Sequence, residues 1–324
     1  MTTEERLCVL IPIFNDWKVV ELLLPHLDRV LNDRHLTAEL VLVDDGSTVS
    51  PDDTFVCPPL AALAPVGVLA LRRNLGHQRA IAVGLTYVYQ HLSPGAVVVM
   101  DGDGEDDPED VPRLLEKLAV EGRRKIVFAE RKRRSEPLLF RLFYRVYRWL
   151  HFLLTGVRVR VGNFSVIPAQ ALARVVVISE MWNHYAAAVY NARIDYVTVP
   201  TARARRLGGS SQMNFLSLVV HGLSALSVYG HIIGVRLLVL TGTLMGLTVV
   251  SLLALLALEL GSVTPLPSWT PYVAALLVSL LFQAVTACVV FVFIMLASRQ
   301  GASVIPLRDC GHFVHRFTRV TPPS

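Results

Sequence analysis

The chain predicts a mostly parallel α/β sheet domain followed by two membrane-spanning helices, and three observations carry that expectation. Short apolar runs alternate with helical stretches over residues 7–129, polar clusters fall at the carboxyl ends of those runs, and the hydrophobic excess is concentrated late in the chain. The apolar fraction of 53% and mean hydropathy of +0.48 exceed those of an ordinary soluble domain, so the location of that excess decides the architecture.

The runs at 7–13, 38–44, 66–71, 96–100 and 125–129 read as buried strands, and 17–34, 77–91 and 108–121 between them as helices. Such alternation gives a parallel sheet with helices on both faces, in which ligands sit outside the carboxyl ends of the strands. Phe14-Asn15-Asp16, Asp44-Asp45-Gly46-Ser47, Arg72-Arg73-Asn74 and the segment from Asp101 onward each fall at such an end.

Two later segments set the membrane expectation. Leu237–Leu258 runs 22 positions and Tyr272–Ala297 runs 26 without a charge, each long enough for the roughly 30 Å hydrocarbon core. Arg203, Arg205, Arg206 and Arg236 precede the first; Arg299, Arg308, Arg316 and Arg319 follow the second; the 259–271 loop has neither Lys nor Arg. This asymmetry predicts an integral membrane protein with both termini cytoplasmic and the short loop outside. The apolar run at Leu7–Ile13 is too short for a signal-peptide core, so the first domain is expected on the side where it is made.

The net charge of +5 is assigned to an anionic membrane surface and not to nucleic acid, because much of the arginine excess lies near the apolar segments. A helix at about 137–154 puts Arg141, Arg145 and Arg148 on one face against Leu139, Leu142, Phe143, Val146 and Leu150, a pattern suited either to a bilayer interface or to packing with solvated arginines. The four cysteines are scattered and read as reduced and structural.

The strongest chemical signal is Asp101-Gly102-Asp103-Gly104-Glu105-Asp106-Asp107-Pro108, directly after an apolar strand. Carboxylates this close repel unless a cation lies between them, and hard oxygens suit Mg²⁺ or Mn²⁺, which also bridge a diphosphate. An EF-hand loop would need Gly where Asp106 stands. Asp44 and Asp45 offer acceptors for a nucleotide's base or ribose, and Arg73-Asn74-x-Gly76 could lie against the same nucleotide, Gly76 allowing close backbone approach.

Together P-x-F-N (Pro12, Phe14, Asn15), V-D-D-G-S (43–47), R-N-x-G (73–76) and M-D-x-D-x-E-D-x-P (100–108) resemble the inverting GT-A-fold glycosyltransferase family 2, in particular its polyprenyl-phosphate sugar transferases of the dolichol-phosphate mannose synthase type. R-x-x-R (131–134), V-G-x-F (161–164) and R-x-G-x-S (206–210) continue the resemblance. It implies that Asp101, Asp103 and Glu105 hold a divalent metal (Mg²⁺ or Mn²⁺), with Gly102 between them. It further implies that Asp44 and Asp45 meet the nucleotide, that Arg131, Arg145 and Arg206 surround the phosphates, and that Arg134 and Ser210 contact substrate. Asn163 and Ser165 depart from the family's G-D-F-R, Glu105 replaces a frequent Gln, and Ser211-Gln212 occupies a region that usually has Lys. The absence of Q-x-x-R-W points to single-sugar transfer.

The implied partners are a nucleotide-sugar donor, a polyprenyl phosphate and the membrane, with homo-oligomer contacts a second use for the spans. A lipid phosphate, already ionised, needs no general base. The alternatives are transfer to a lipid-linked glycan hydroxyl, with Asp106 or Asp107 as base, and a scaffold subunit that keeps only the fold. The expected layout is a catalytic domain at 1–212, a juxtamembrane helix at 213–231, a two-helix hairpin at 232–298 and a cytoplasmic tail at 299–324.

Overall fold

The structure, a computed structural model, describes residues 6–49, 55–131, 138–157, 161–202, 204–208, 215–261, 267–300 and 303–320, with backbone only for 131, 138–144, 215–218 and 298–300. It divides into a sheet unit (Met1–Leu142, Arg158–Val228, Ser303–Ser324) and a helical unit (Phe143–Val157, Tyr229–Ala302).

The sheet unit begins β1 (Leu7–Ile13), α1 (Trp17–Asp33), β2 (Ala38–Asp44), β3 (Leu63–Leu71), α2 (His77–His91), β4 (Ala96–Val99), α3 (Asp110–Val120) and β5 (Ile126–Arg131). β6 (Ser165–Pro168), α5 (Ala169–Val175), α6 (Tyr185–Asn191), β7 (Tyr196–Thr201) and α7 (Phe215–Ser227) follow, α4 (Leu138–Thr155) lying before them in sequence. Among the described residues the strand order is β7-β5-β6-β4-β1-β2-β3-β8, where β8 is Val314–Val320. β4, β1, β2 and β3 are mutually parallel, β5 is parallel to β7, and β6 and β8 run antiparallel to their neighbours. This is the expected mostly parallel sheet.

Strands apolar on both faces need cover on both sides, and two helical layers supply it. On one face α1 buries Leu23, Leu24, Leu27 and Leu31 at helical spacing, and α3 adds Val111, Leu114 and Leu118. On the other, α2 buries Ile81, Leu85 and Val88 with Phe128 and Tyr185. Each large side chain so buried stabilises the layer by about 1.5–3 kcal/mol, so strand ends rather than strand bodies are left for ligands.

The 299–324 segment is more than a tail. β8 pairs along β3, and the Phe317 ring lies over Gly67, where any side chain would collide with it.

In the helical unit, α8 (Gly230–Gly261) and α9 (Thr270–Gln300) are long and apolar enough to cross a membrane. Only 6% and 0% of their most apolar windows are buried, leaving side chains such as Leu253 and Phe282 uncovered by protein. A bilayer covers such surface; water does not. Arg236 Nη1 of α8 donates to Leu153 O at 2.6 Å, closing the carboxyl end of α4 beside Gly156 (φ +77°).

Candidate active site

β4 ends after Val99, and the acidic segment turns on its own carboxylates. Asp106 Oδ2 accepts from Asp101 N–H (2.9 Å), Asp103 Oδ1 accepts from Glu105 N–H (2.9 Å), and Gly104 takes φ +80°. Residues 204–208 lie along the turn: Ala204 N–H and Leu207 N–H each donate at 3.1 Å, to Glu105 O and Asp103 O. Arg206 is thereby carried to Asp103, its Nη1 3.5 Å from Oδ2, with Nη2 3.9 Å from Asp16 Oδ2.

On the opposite flank His77, the first residue of α2, brings Nε2 within 3.1 Å of Asp101 Oδ1. Burial depresses the imidazole pKa, but Asp101 chiefly, then Asp106 and Asp45, outweigh it and raise the value. The acidic turn therefore lies between an arginine and a histidine whose affinity for a proton the carboxylates raise.

The β2 end is built differently. Asp45 is buried, and its two oxygens accept Leu75 N–H (2.7 Å) and Gly76 N–H (2.8 Å), fixing the loop into α2. Burial raises its pKa against the pull of those two hydrogen bonds. Asp44, also buried, accepts Ser47 N–H at 2.9 Å; Asn15, at φ +59°, receives Thr48 N–H on its Oδ1 (2.9 Å) and donates its own N–H to Ser47 Oγ (2.9 Å).

The structure thus brings Asp101, Asp103 and Arg206 together and adds His77, Asp16 and Asn163, whose amide nitrogen lies 2.9 Å from His77 Nε2, none of which the motifs marked as site residues. The available signal for His77 was its position one residue after Gly76, at a helix start. Phe14 (43% exposed), Arg73 and Asn74 lie open at the same sheet edge, and Arg131 closes β5 opposite Thr201 of the parallel β7. Pro12 is buried inside β1, paired in register with Val43. Gly102 is buried beside Ile11, where an added Cβ would lie 3.1 Å from Ile11 Cγ2. Asp106 is 2% exposed and holds the Asp101 N–H. Asp107 accepts Glu109 N–H at 3.0 Å. Arg145 is exposed on α4, in the helical unit. Arg134, Ser210, Ser211 and Gln212 lie outside the described residues.

The residues fit a divalent ion only in part. Hard carboxylate oxygens at a strand end suit Mg²⁺ or Mn²⁺, and the basic side chains set against Asp101 and Asp103 mark the negative potential there. Among the described residues, however, no three His, Cys, Asp or Glu side chains gather closely enough to hold a metal, so Asp101, Asp103 and Glu105 do not form the expected three-carboxylate cage. Mg²⁺ commonly takes one or two carboxylates and completes its shell with substrate phosphate and water, and two carboxylates meet that need.

Among curated relatives, the undecaprenyl-phosphate 4-deoxy-4-formamido-L-arabinose transferase of Salmonella choleraesuis (strain SC-B67) is 25% identical over 301 residues, 87% of this chain and 84% of that protein. Proteins of the same name from Erwinia tasmaniensis and Sodalis glossinidius are each 30% identical, over 112 and 118 residues (35% and 36% of this chain). Those two matches span only about a third of the relatives' own length, 33% and 34%. A glucosyl-3-phosphoglycerate synthase from Mycobacterium tuberculosis, solved with Mn²⁺, uridine diphosphate and phosphoglyceric acid, is similar at a TM-score of 0.48 and 15% identity, over 71% of this chain and 79% of that one. The model of glycosyl transferase family 2 matches residues 8–182, more than half of the 324 and all of the sheet from β1 through β6, and the chain belongs to that family.

Proposed function

We propose that this glycosyltransferase moves one sugar from a nucleotide-sugar donor to a polyprenyl phosphate at the cytoplasmic face of a membrane. The observation that carries the reading is the acidic turn after β4 with Arg206 on Asp103 (3.5 Å) and His77 on Asp101 (3.1 Å), since charge of both signs at one strand end is what a departing diphosphate needs. Asp101 and Asp103 would hold Mg²⁺ or Mn²⁺, with Glu105 beside them. Such an ion, bound with the donor, supplies neutralisation of the developing diphosphate charge. Arg206 orients Asp103 and adds a second positive group at the same place, while Phe14, Arg73 and Asn74 line the nucleotide's side of the edge. Arg131 is assigned to the donor phosphates because it ends the strand that runs parallel to β4; Arg134 and Ser210 are assigned by the family resemblance.

A phosphomonoester has its second pKa near 6, so a lipid phosphate arrives mostly ionised and requires orientation, not deprotonation. The burial of Asp106 agrees, since it leaves the hydroxyl-acceptor alternative without one of its two candidate bases. On α4, exposed Arg145 and Arg148 lie beside exposed Val146 and Trp149, as an interfacial helix requires, and Arg145 is assigned to the lipid phosphate. The named acceptor of the relatives, one of which is matched over 84% of its length, supports the same class.

Topology supports the orientation. β8 follows the second apolar helix yet pairs with β3, so an even number of crossings separates the two, as in a hairpin. The arginines flanking that hairpin favour the cytoplasmic side.

The deciding experiment crosses labelled nucleotide sugars with polyprenyl phosphates, using the purified full-length protein. Glycolipid should form from one donor, cease with EDTA and return with Mg²⁺ or Mn²⁺; no transfer to polyprenyl phosphate from any donor would end the reading. Arg145→Ala should weaken dependence on the lipid about ten- to hundredfold, the loss of a charge-assisted contact of roughly 1.5–3 kcal/mol, and leave donor dependence nearly unchanged. A selective rise in donor KM would instead move Arg145 to the nucleotide.

A further inference from the structure

The loop that leaves β3 is pinned at both ends, and one pin comes from the far end of the chain. Leu71, the last residue of β3, pairs with Val314 of β8, and the next N–H, that of Arg72, donates to Phe313 O at 2.9 Å. Leu75 and Gly76 are held by the Asp45 carboxylate, so exposed Arg73 and Asn74 are the residues between the two anchors. Those two are the residues assigned to the nucleotide. Their backbone course is set by Asp45 on one side and by Phe313 on the other.

Phe313 is itself gripped from the α2 side. Its ring lies 4.8 Å from that of Trp182, and the Arg79 guanidinium carbon sits 5.5 Å from the centre of a Trp182 ring. Two aromatic rings at this spacing attract, as do a guanidinium and an indole. Arg79 belongs to the first turn of α2, where its N–H donates to Gly76 O at 3.0 Å. Phe313 thus bridges the two anchors, meeting the β3 exit through its carbonyl and the α2 entrance through Trp182 and Arg79.

The residues before Phe313 dock in the same way. Leu307 N–H donates to Val176 O (2.9 Å), Gln90 Nε2 donates to Leu307 O (3.1 Å), and Cys310, 4% exposed, packs beside Gln90. An edge strand covers its neighbour, and Val314–Val320 alone does that for β3. Residues 307–313 precede that register and reach Val176, Gln90, Trp182 and Arg72 instead.

We propose that Phe313, seated on Trp182, is a positioning residue for the donor: it fixes the β3 exit so that Arg73 and Asn74 are ordered before the nucleotide arrives. The inference rests on the proposed assignment of Arg73 and Asn74 to the nucleotide. A loop ordered in advance binds more tightly, because binding does not have to supply the ordering. Once the donor is bound the loop is in place in either case, so the effect falls on donor KM and not on kcat.

The test uses the full-length protein in detergent, with UDP-, GDP-, CDP- and dTDP-sugars screened against undecaprenyl phosphate and the transferred donor carried forward. Phe313→Ala should raise donor KM about three- to tenfold, the penalty for ordering one or two side chains on binding, with kcat and lipid KM within about twofold of native. Phe313→Tyr keeps the ring and should keep the native donor KM. Trp182→Ala should reproduce the defect, and the double variant should lose less than the product of the single losses, because both act through one contact. Phe317→Ala separates positioning from stability. Its ring packs on Tyr87 (4.9 Å) and over Gly67, behind the exit, so its loss should lower the thermal transition and leave donor KM native. Phe313→Leu, which keeps most of the volume, takes the place of an alanine protein that does not fold, with the same expected rise. Native donor KM in a folded Phe313→Ala or Phe313→Leu protein, when Arg73→Ala raises that KM, overturns the positioning role and leaves the nucleotide assignment standing. A rise shared equally by Phe317→Ala, or by the lipid KM, marks general loosening of the fold and overturns it too. Native donor KM in both Arg73→Ala and Asn74→Ala overturns the nucleotide assignment, and transfer from no donor overturns the proposed function; the inference falls with either.

Discussion

The carboxyl ends of β2 and β4 carry similar acidic motifs and use them in opposite ways. At β2, the carboxylates of Asp44 and Asp45 are spent on backbone N–H groups of Ser47, Leu75 and Gly76. At β4, Asp101 and Asp103 face the basic side chains of His77 and Arg206, although the turn's own backbone also uses Asp103 and Asp106. Backbone donors cannot leave without undoing the loop, whereas a side-chain cation can yield to another cation. What a carboxylate is bound to, more than its place in a motif, distinguishes the two strand ends.

The comparison can be broken most directly from the β4 side. Asp103→Ala should lower transfer by about 10²–10³-fold, as for loss of a preorganised charge-stabilising group, while shifting stability by less than about 1 kcal/mol. Transfer rates and a thermal melt on the same preparation measure both; a protein that melts early but turns over normally would reverse the assignment.

Asp45→Ala should give the mirror image, losing about 1–3 kcal/mol for each backbone N–H it strands. Asp45→Asn retains one acceptor and should fall between. Equal melting temperatures for native and Asp45→Ala proteins would show that the loop into α2 does not depend on this carboxylate.

Two glycines sharpen the contrast. At Gly46 (φ +68°) an added Cβ would lie 2.5 Å from Arg73 C and Asn74 N, backbone that cannot rotate away. At Gly104 (φ +80°) it would meet Leu207 Cγ at 2.5 Å, part of a side chain that can. Both alanine variants bear a left-handed backbone cost of about 1–2 kcal/mol, and Gly46→Ala should exceed Gly104→Ala in loss of melting temperature. The reverse order would place the rigid half of the site at β4.

The smallest effect concerns α7. His221 Nε2 lies 3.3 Å from His184 Nε2, whose ring Nδ1 accepts Ala187 N–H and caps α6. Burial, then the charge of His77, lowers the His221 pKa from its ordinary 6.5, with Asp101 opposing. A depressed histidine contributes stability above its unfolded pKa and loses it as pH falls through the folded value. Amide protection over residues 219–227, normalised for intrinsic exchange, should therefore decline modestly from pH 8 to pH 5.5, and His221→Phe should flatten that decline. A slope unchanged by the substitution would remove His221 as its source.

Much of this was legible before the fold. β1 and β2 fall at the predicted residues because strands apolar on both faces leave little choice of boundary, and α2 begins where Gly76 (φ +92°) breaks the chain. The short β6 and β7 were missed, since four to six residues carry too little periodicity, and β8 was read as tail because its exposed arginines mask an edge strand. Of the site, the D-x-D turn was evident from charge crowding alone, but His77 and Asn163, 86 positions apart, are neighbours only in the folded chain.

By itself, then, the sequence determined what depends on local composition: apolar strands, two uncharged segments of membrane length, and an acidic turn that repels itself. Only the tertiary structure decided which carboxylates hold backbone N–H groups and which face basic side chains, because that depends on donors brought from distant strands and helices. It likewise returned β8 to the sheet, since edge pairing is satisfied by any extended backbone with a partner in reach, and no local signal names the partner.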